Sequence, residues 1–117
     1  MLRQPVAQGL IIKLRSDTGV LAIHEPDYPK AVSAAETNNA DAILIEITES
    51  GEYDATYCLE LCNRVRAKSP GCRILLLCPE QDEPSVLAAV EAVRAGRIDD
   101  FLFYDASTDY IISKLLI

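Results

Sequence analysis

Two short runs constrain this chain more than any other feature. Ala42-Ile-Leu-Ile-Glu-Ile47 and Ile74-Leu-Leu-Leu-Cys78 are apolar at nearly every position. A strand with one face in water alternates apolar and polar residues. One that is apolar at successive positions is buried on both faces, as in a parallel sheet covered by helices on each side. The single ionic residue of the first run, Glu46, lies near its C-terminal end. In open α/β sheets that end of a strand opens onto the ligand crevice, so the meaning of a glutamate there decides much of the function.

The segments around these runs alternate between helix and strand signals. Val6, Leu10 and Leu14 recur at helical spacing after Pro5, and Asp17-Thr-Gly19 ends that helix. Val20 to His24 reads as a short strand, closed by Glu25-Pro-Asp-Tyr-Pro29, where two prolines exclude further ladder pairing. A helix with a small-residue stripe, Ala31, Ala34 and Ala35, runs from Pro29 to Asn38 and leads to the strand Asp41 to Thr48. Asp54 is placed to cap a helix with Cys58, Leu61, Cys62 and Val65 inward, stopped by Ser69-Pro-Gly71. After the strand Arg73 to Cys78 comes an acidic turn, then a helix from Ser85 to Ala95 with Val86, Ala89, Val90 and Val93 inward, ended by Gly96. Phe101 to Tyr104 is the last strand. Ser107 or Thr108 caps a closing helix whose apolar side carries Ile111, Ile112 and Leu115. The predicted order is α-β-α-β-α-β-α-β-α, which short right-handed crossovers fold into a parallel sheet between helical layers.

A length of 117 residues fits one domain, 1–117. Eleven Lys and Arg against eighteen Asp and Glu give a net charge of −7. That sign repels phosphate backbones and anionic lipid, so neither direct nucleic-acid binding nor membrane attachment is expected, and the expected location is cytoplasmic. Cys58, Cys62, Cys72 and Cys78 lack the spacing of a zinc site and are accompanied by one His, so they read as reduced, buried thiols acting as small hydrophobes. No metal and no cofactor is expected.

Order, lengths and patterns together resemble the receiver (CheY-like) domain of bacterial two-component response regulators. Leu2-Arg-Gln-Pro-Val-Ala-Gln-Gly-Leu resembles the first receiver helix, Ala40-Asp-Ala-Ile-Leu-Ile-Glu-Ile the third strand, Arg73-Ile-Leu-Leu-Leu-Cys the fourth and Asp99-Asp-Phe-Leu-Phe-Tyr the fifth. The resemblance implies a flavodoxin-like three-layer α/β/α sandwich with a parallel sheet of order 2-1-3-4-5, beginning at the first helix and lacking the first strand. The absent strand would leave a gap between Val20–His24 and Asp41–Thr48. Either a segment ahead of Met1 fills it, or the strands close up, or another chain donates a strand; the first is preferred.

The resemblance also implies that the receiver chemistry is degenerate. Glu46 stands where receivers carry the aspartate that accepts the phosphoryl group, Cys78 where they carry a hydroxyl residue, Tyr104 in place of a lysine, and Phe101 at the aromatic switch position. Glu46 reads as a solvated carboxylate lining the crevice, as a standing mimic of the phosphorylated state, or as a ligand contact. Cys78 has a sharper reading as a reactive thiol. Phe103, Tyr110, Arg94 and Lys114 form an expected partner surface, since aromatic and Arg residues favour interfaces. The expectation is an atypical, non-enzymatic, phosphorylation-independent module acting on a protein partner: a regulator, a kinase or a second copy as homodimer. The alternative is a small flavodoxin-like ligand-binding protein or enzyme.

Overall fold

The computed structural model describes residues 4–116. Met1–Arg3, of which Leu2 and Arg3 open the segment that resembles the first receiver helix, and Ile117 lie outside the described residues.

Three strands, β1 (Ala42–Glu46), β2 (Arg73–Cys78) and β3 (Asp100–Phe103), form a parallel sheet in the order β1-β2-β3. Ile45 pairs with Leu76 across the first ladder and Leu77 with Leu102 across the second. Side chains alternate between the faces of a strand, and that parity splits the sheet into two cores. Ile45, Ile47, Ile74, Leu76 and Cys78 pack on Cys58, Leu61, Cys62 and Val65 of α3 (Ala55–Lys68) and Ala92 of α4 (Glu83–Arg94). Leu75, Leu77 and Leu102 pack on Leu10 and Leu14 of α1 (Gln4–Thr18) and on Ile111 and Ile112 of α5 (Thr108–Leu115). Helices therefore cover both faces, the flavodoxin-like three-layer sandwich that unbroken apolar runs require. Leu75, Leu76 and Leu77 have no exposed surface, and each such burial stabilises the fold by roughly 1.5–3 kcal/mol.

Local signals place the helix ends. The Asp54 carboxylate accepts from the Tyr57 N–H at 2.9 Å and caps α3; Ser107, rather than Thr108, does the same for α5 through the Tyr110 N–H. Gly96 closes α4 in the left-handed region, φ 74°, which a side-chain-bearing residue adopts only with strain. An irregular stretch, 19–27, follows α1 and leads into a 3-10 turn (Tyr28–Lys30) and α2 (Ala31–Thr37), which packs beside α3. Only Ala35 of its small stripe is fully buried. In α4 the inward residues are Ser85, Ala89 and Ala92, with Val86, Val90 and Val93 half-buried. The buried Ser85 hydroxyl is satisfied by donating to Asp82 at 2.7 Å.

One expected element is absent. Val20 to His24 forms no strand, and Leu21 and Ile23 are exposed at 77% and 67%. A strand exists only where a neighbour completes its ladder. The described sheet ends at β1, and a groove separates this segment from it.

Candidate functional site

The C-terminal ends of β1 and β2 bring together the loops after each strand, as the crevice rule requires. Glu46 ends β1, but it is not the solvated carboxylate expected there: the residue is 1% exposed. Sheet pairing continues one residue beyond it, with the Ile47 N–H donating to the Leu77 carbonyl at 2.9 Å. That extension keeps Glu46 inside the sandwich instead of at its rim.

Tyrosines engage the backbone at this point from two directions. The Tyr28 hydroxyl donates to the Glu46 carbonyl at 2.5 Å, and the Tyr104 hydroxyl donates to the next carbonyl, that of Ile47. Consecutive carbonyls of a strand point to opposite edges. Tyr104, at the end of β3, thus ties down the inner edge while Tyr28 closes the outer one. Burial pushes the Tyr28 hydroxyl well above its ordinary value, so it stays a donor throughout the neutral range. Tyr28 stacks on Tyr53 with ring centroids 4.0 Å apart, and Tyr57 tilts against Tyr53 at 5.0 Å. The Cys58 thiol lies 3.7 Å from the Glu46 carbonyl and 3.5 Å from that of Tyr53. The Thr48 N–H and hydroxyl both reach the Tyr53 carbonyl, at 2.9 and 3.0 Å, folding the loop after β1 back over the strand end.

The cysteines are core thiols. All four are free and buried. Burial, helped by Asp82, pushes Cys78 up to about 11, and burial takes Cys58 and Cys62 up to about 12. A thiol held protonated and without solvent contact is a poor nucleophile, so the reactive reading of Cys78 gives way to packing. Among the described residues, no group of three His, Cys, Asp or Glu is placed to hold a metal ion.

Phe101 is half-buried and meets Phe103 edge-on, ring centroids 5.7 Å apart, against the core shared with α3 and α4. Tyr110 and Lys114 lie together on α5: the Lys114 ammonium is 5.6 Å from the ring centroid and 3.1 Å from the Asp100 carboxylate. Arg94 is exposed at the end of α4. Among the described residues no hydrogen bond, ion pair or ring contact links Arg94 or Phe103 to that pair. The Tyr28, Tyr53 and Tyr57 cluster was not anticipated as a unit. Its members are separated in sequence and meet only because the turn before α2 and the loop after β1 converge.

This fold is that of receiver domains. A LuxR-family DNA-binding response regulator from Staphylococcus aureus superposes with a TM-score of 0.73 at 15% identity, covering 98% of this chain and 90% of that one. The receiver domain of a Francisella response regulator gives 0.73 at 20% identity over 98% and 88%. A CheY-like receiver domain protein from Methanospirillum hungatei gives 0.72 at 10% identity over 97% and 84%. No protein-family model and no curated protein matches the sequence. At these identities the likeness is one of fold.

Proposed function

We propose that this chain is a receiver-like signalling module that works without phosphorylation, by contact with a protein partner such as a regulator, a kinase or a second copy. The observation that carries the reading is the burial of Glu46, at the strand end where receivers take up a phosphoryl group, beneath a backbone held by Tyr28 and Tyr104. Phosphoryl transfer depends on in-line approach and charge neutralisation by a metal and cationic groups. A side chain 1% exposed offers no such approach, and Mg²⁺ needs a near-octahedral set of oxygens that keeps several waters. A closed strand end is a fixed structural element, which leaves the helical surface to do the work. No catalytic residue is assigned.

The test is incubation with acetyl phosphate and Mg²⁺ followed by intact-protein mass spectrometry. The expected spectrum is unchanged, with unaltered oligomeric state. Stoichiometric, hydroxylamine-sensitive addition of a phosphoryl group at Glu46 would refute the reading.

A further inference from the structure

The Tyr53 ring has a stacking partner on one face only. That face lies on Tyr28, with centroids 4.0 Å apart and planes 3° from parallel. Tyr57 is 5.0 Å from Tyr53 and 6.5 Å from Tyr28. A side of 6.5 Å closes a nearly right-angled triangle on sides of 4.0 and 5.0 Å, so Tyr57 stands at the edge of the Tyr53 ring and not over its other face. Tyr53 is half-buried and keeps part of its surface in water. Among the described residues neither a second ring nor a cation covers the outer face.

The surroundings of that ring are acidic. From Glu49 to Asn63 the chain carries Glu49, Glu52, Asp54 and Glu60 and no Lys, Arg or His. Asp54 is engaged as the cap of α3, whereas Glu52 is exposed. Asp27 joins it from the turn before α2. Burial first, then Glu52, Tyr57 and Asp27, pushes the Tyr53 hydroxyl above its ordinary value, which places both carboxylates in electrostatic reach of the ring. Lys30 lies 3.8 Å from Asp27, but both side chains are exposed, and such a pair is loose and weak. The aromatic face and the two carboxylates together suit a cation.

We propose that the outer face of Tyr53, flanked by Asp27 and Glu52, is the docking point for an arginine side chain on a basic segment of a partner protein. A guanidinium is planar and weakly hydrated, so it stacks flat on the negative face of a ring while its edge N–H groups donate to carboxylates beside it. An ammonium is a compact, strongly hydrated charge and gains less from a flat ring. The stack on Tyr28 holds the Tyr53 ring in place before a partner arrives, which lowers the ordering cost of binding. The net charge of −7 draws a basic segment toward the chain. This proposal rests on the reading of the chain as a module that works by protein contact, and it supplies the chemistry of that contact.

The test titrates acetyl-Gly-Arg-Gly-Arg-Gly-amide into the protein labelled in its tyrosine rings and follows the ring resonances by NMR, with no phosphoryl donor present. Matched peptides carry Lys, or the neutral isostere citrulline, at both Arg positions. The expected result is a saturable shift at Tyr53 and tighter binding of the Arg peptide than of either other. Tyr53→Leu should weaken that binding by about two- to fivefold. Glu52→Gln, at an exposed position outside the stack, should weaken it by a similar factor and serves as the test if Tyr53→Leu does not fold. Glu91→Gln, the same change of charge on α4, should leave it nearly unchanged. Equal affinity for the Arg peptide and either of the others, equal effects of Glu52→Gln and Glu91→Gln, or shifts at Tyr110 in place of Tyr53 would overturn the proposal. None of those results touches the phosphorylation-independent reading, which falls instead if Glu46 takes up a phosphoryl group.

Discussion

The hydroxyls of Tyr28 and Tyr104 grip one strand end from opposite edges, Tyr28 on the Glu46 carbonyl and Tyr104 on the Ile47 carbonyl. The two side chains come from the turn before α2 and from the end of β3, so together they clamp the crevice across the width of the sheet. Removing either hydroxyl leaves a buried carbonyl short of a donor. Tyr28→Phe and Tyr104→Phe should each lower stability by about 1–2 kcal/mol, measured by urea unfolding. Because the two donors hold consecutive peptide units of one strand end, the double variant should depart from additivity by about 0.5 kcal/mol or more.

Buried thiols make stability fall at high pH. Burial above all pushes Cys58 and Cys62 up from the ordinary thiol value of 9.0 to about 12 in the fold. A raised value means the folded protein holds protons that the unfolded chain releases. Their contribution is therefore complete below about pH 9 and is lost as pH rises from there toward 12. Each thiol adds a slope of up to about 1.4 kcal/mol per pH unit. Unfolding free energies compared at pH 7.5 and 10.5 should show the loss, and Cys62→Ala should show less of it.

The Val20–His24 segment and β2 should respond oppositely to substitution. Leu76→Ala opens a cavity beneath α3 and should cost about 2–5 kcal/mol. Leu21→Lys and Ile23→Lys, at positions 77% and 67% exposed, should change stability by less than about 0.5 kcal/mol. Thermal or urea unfolding checks both. A large loss at Leu21 or Ile23 would show that the segment is packed in solution.

Replacing Asp54 with Ala should remove about 1 kcal/mol by uncapping α3. That prediction needed little beyond the sequence, because a cap and the apolar stripe behind it are adjacent in the chain. The bounds of β2 were legible for the same reason: five successive apolar residues, Ile74 to Cys78, admit one environment. The reading failed where a residue's state belongs to a distant partner. Val20 to His24 has the composition of a strand, but strandedness depends on a neighbouring ladder that no local pattern records. The solvated reading of Glu46, one of its alternatives, rests on what a carboxylate at a strand end usually is. The burial of Glu46 follows from the continued pairing of Ile47 and from tyrosines remote in sequence, Tyr28 and Tyr104, whose convergence only the tertiary structure reveals.

The central claim is that the strand end carrying Glu46 is closed to metal and phosphoryl groups. Adding Mg²⁺ with beryllofluoride, a stable phosphoryl analogue, and following the amide resonances of Glu46, Ile47 and Thr48 tests it most directly. The account predicts that these resonances stay in place at saturating reagent. Saturable shifts at all three, requiring both Mg²⁺ and beryllofluoride, would contradict it.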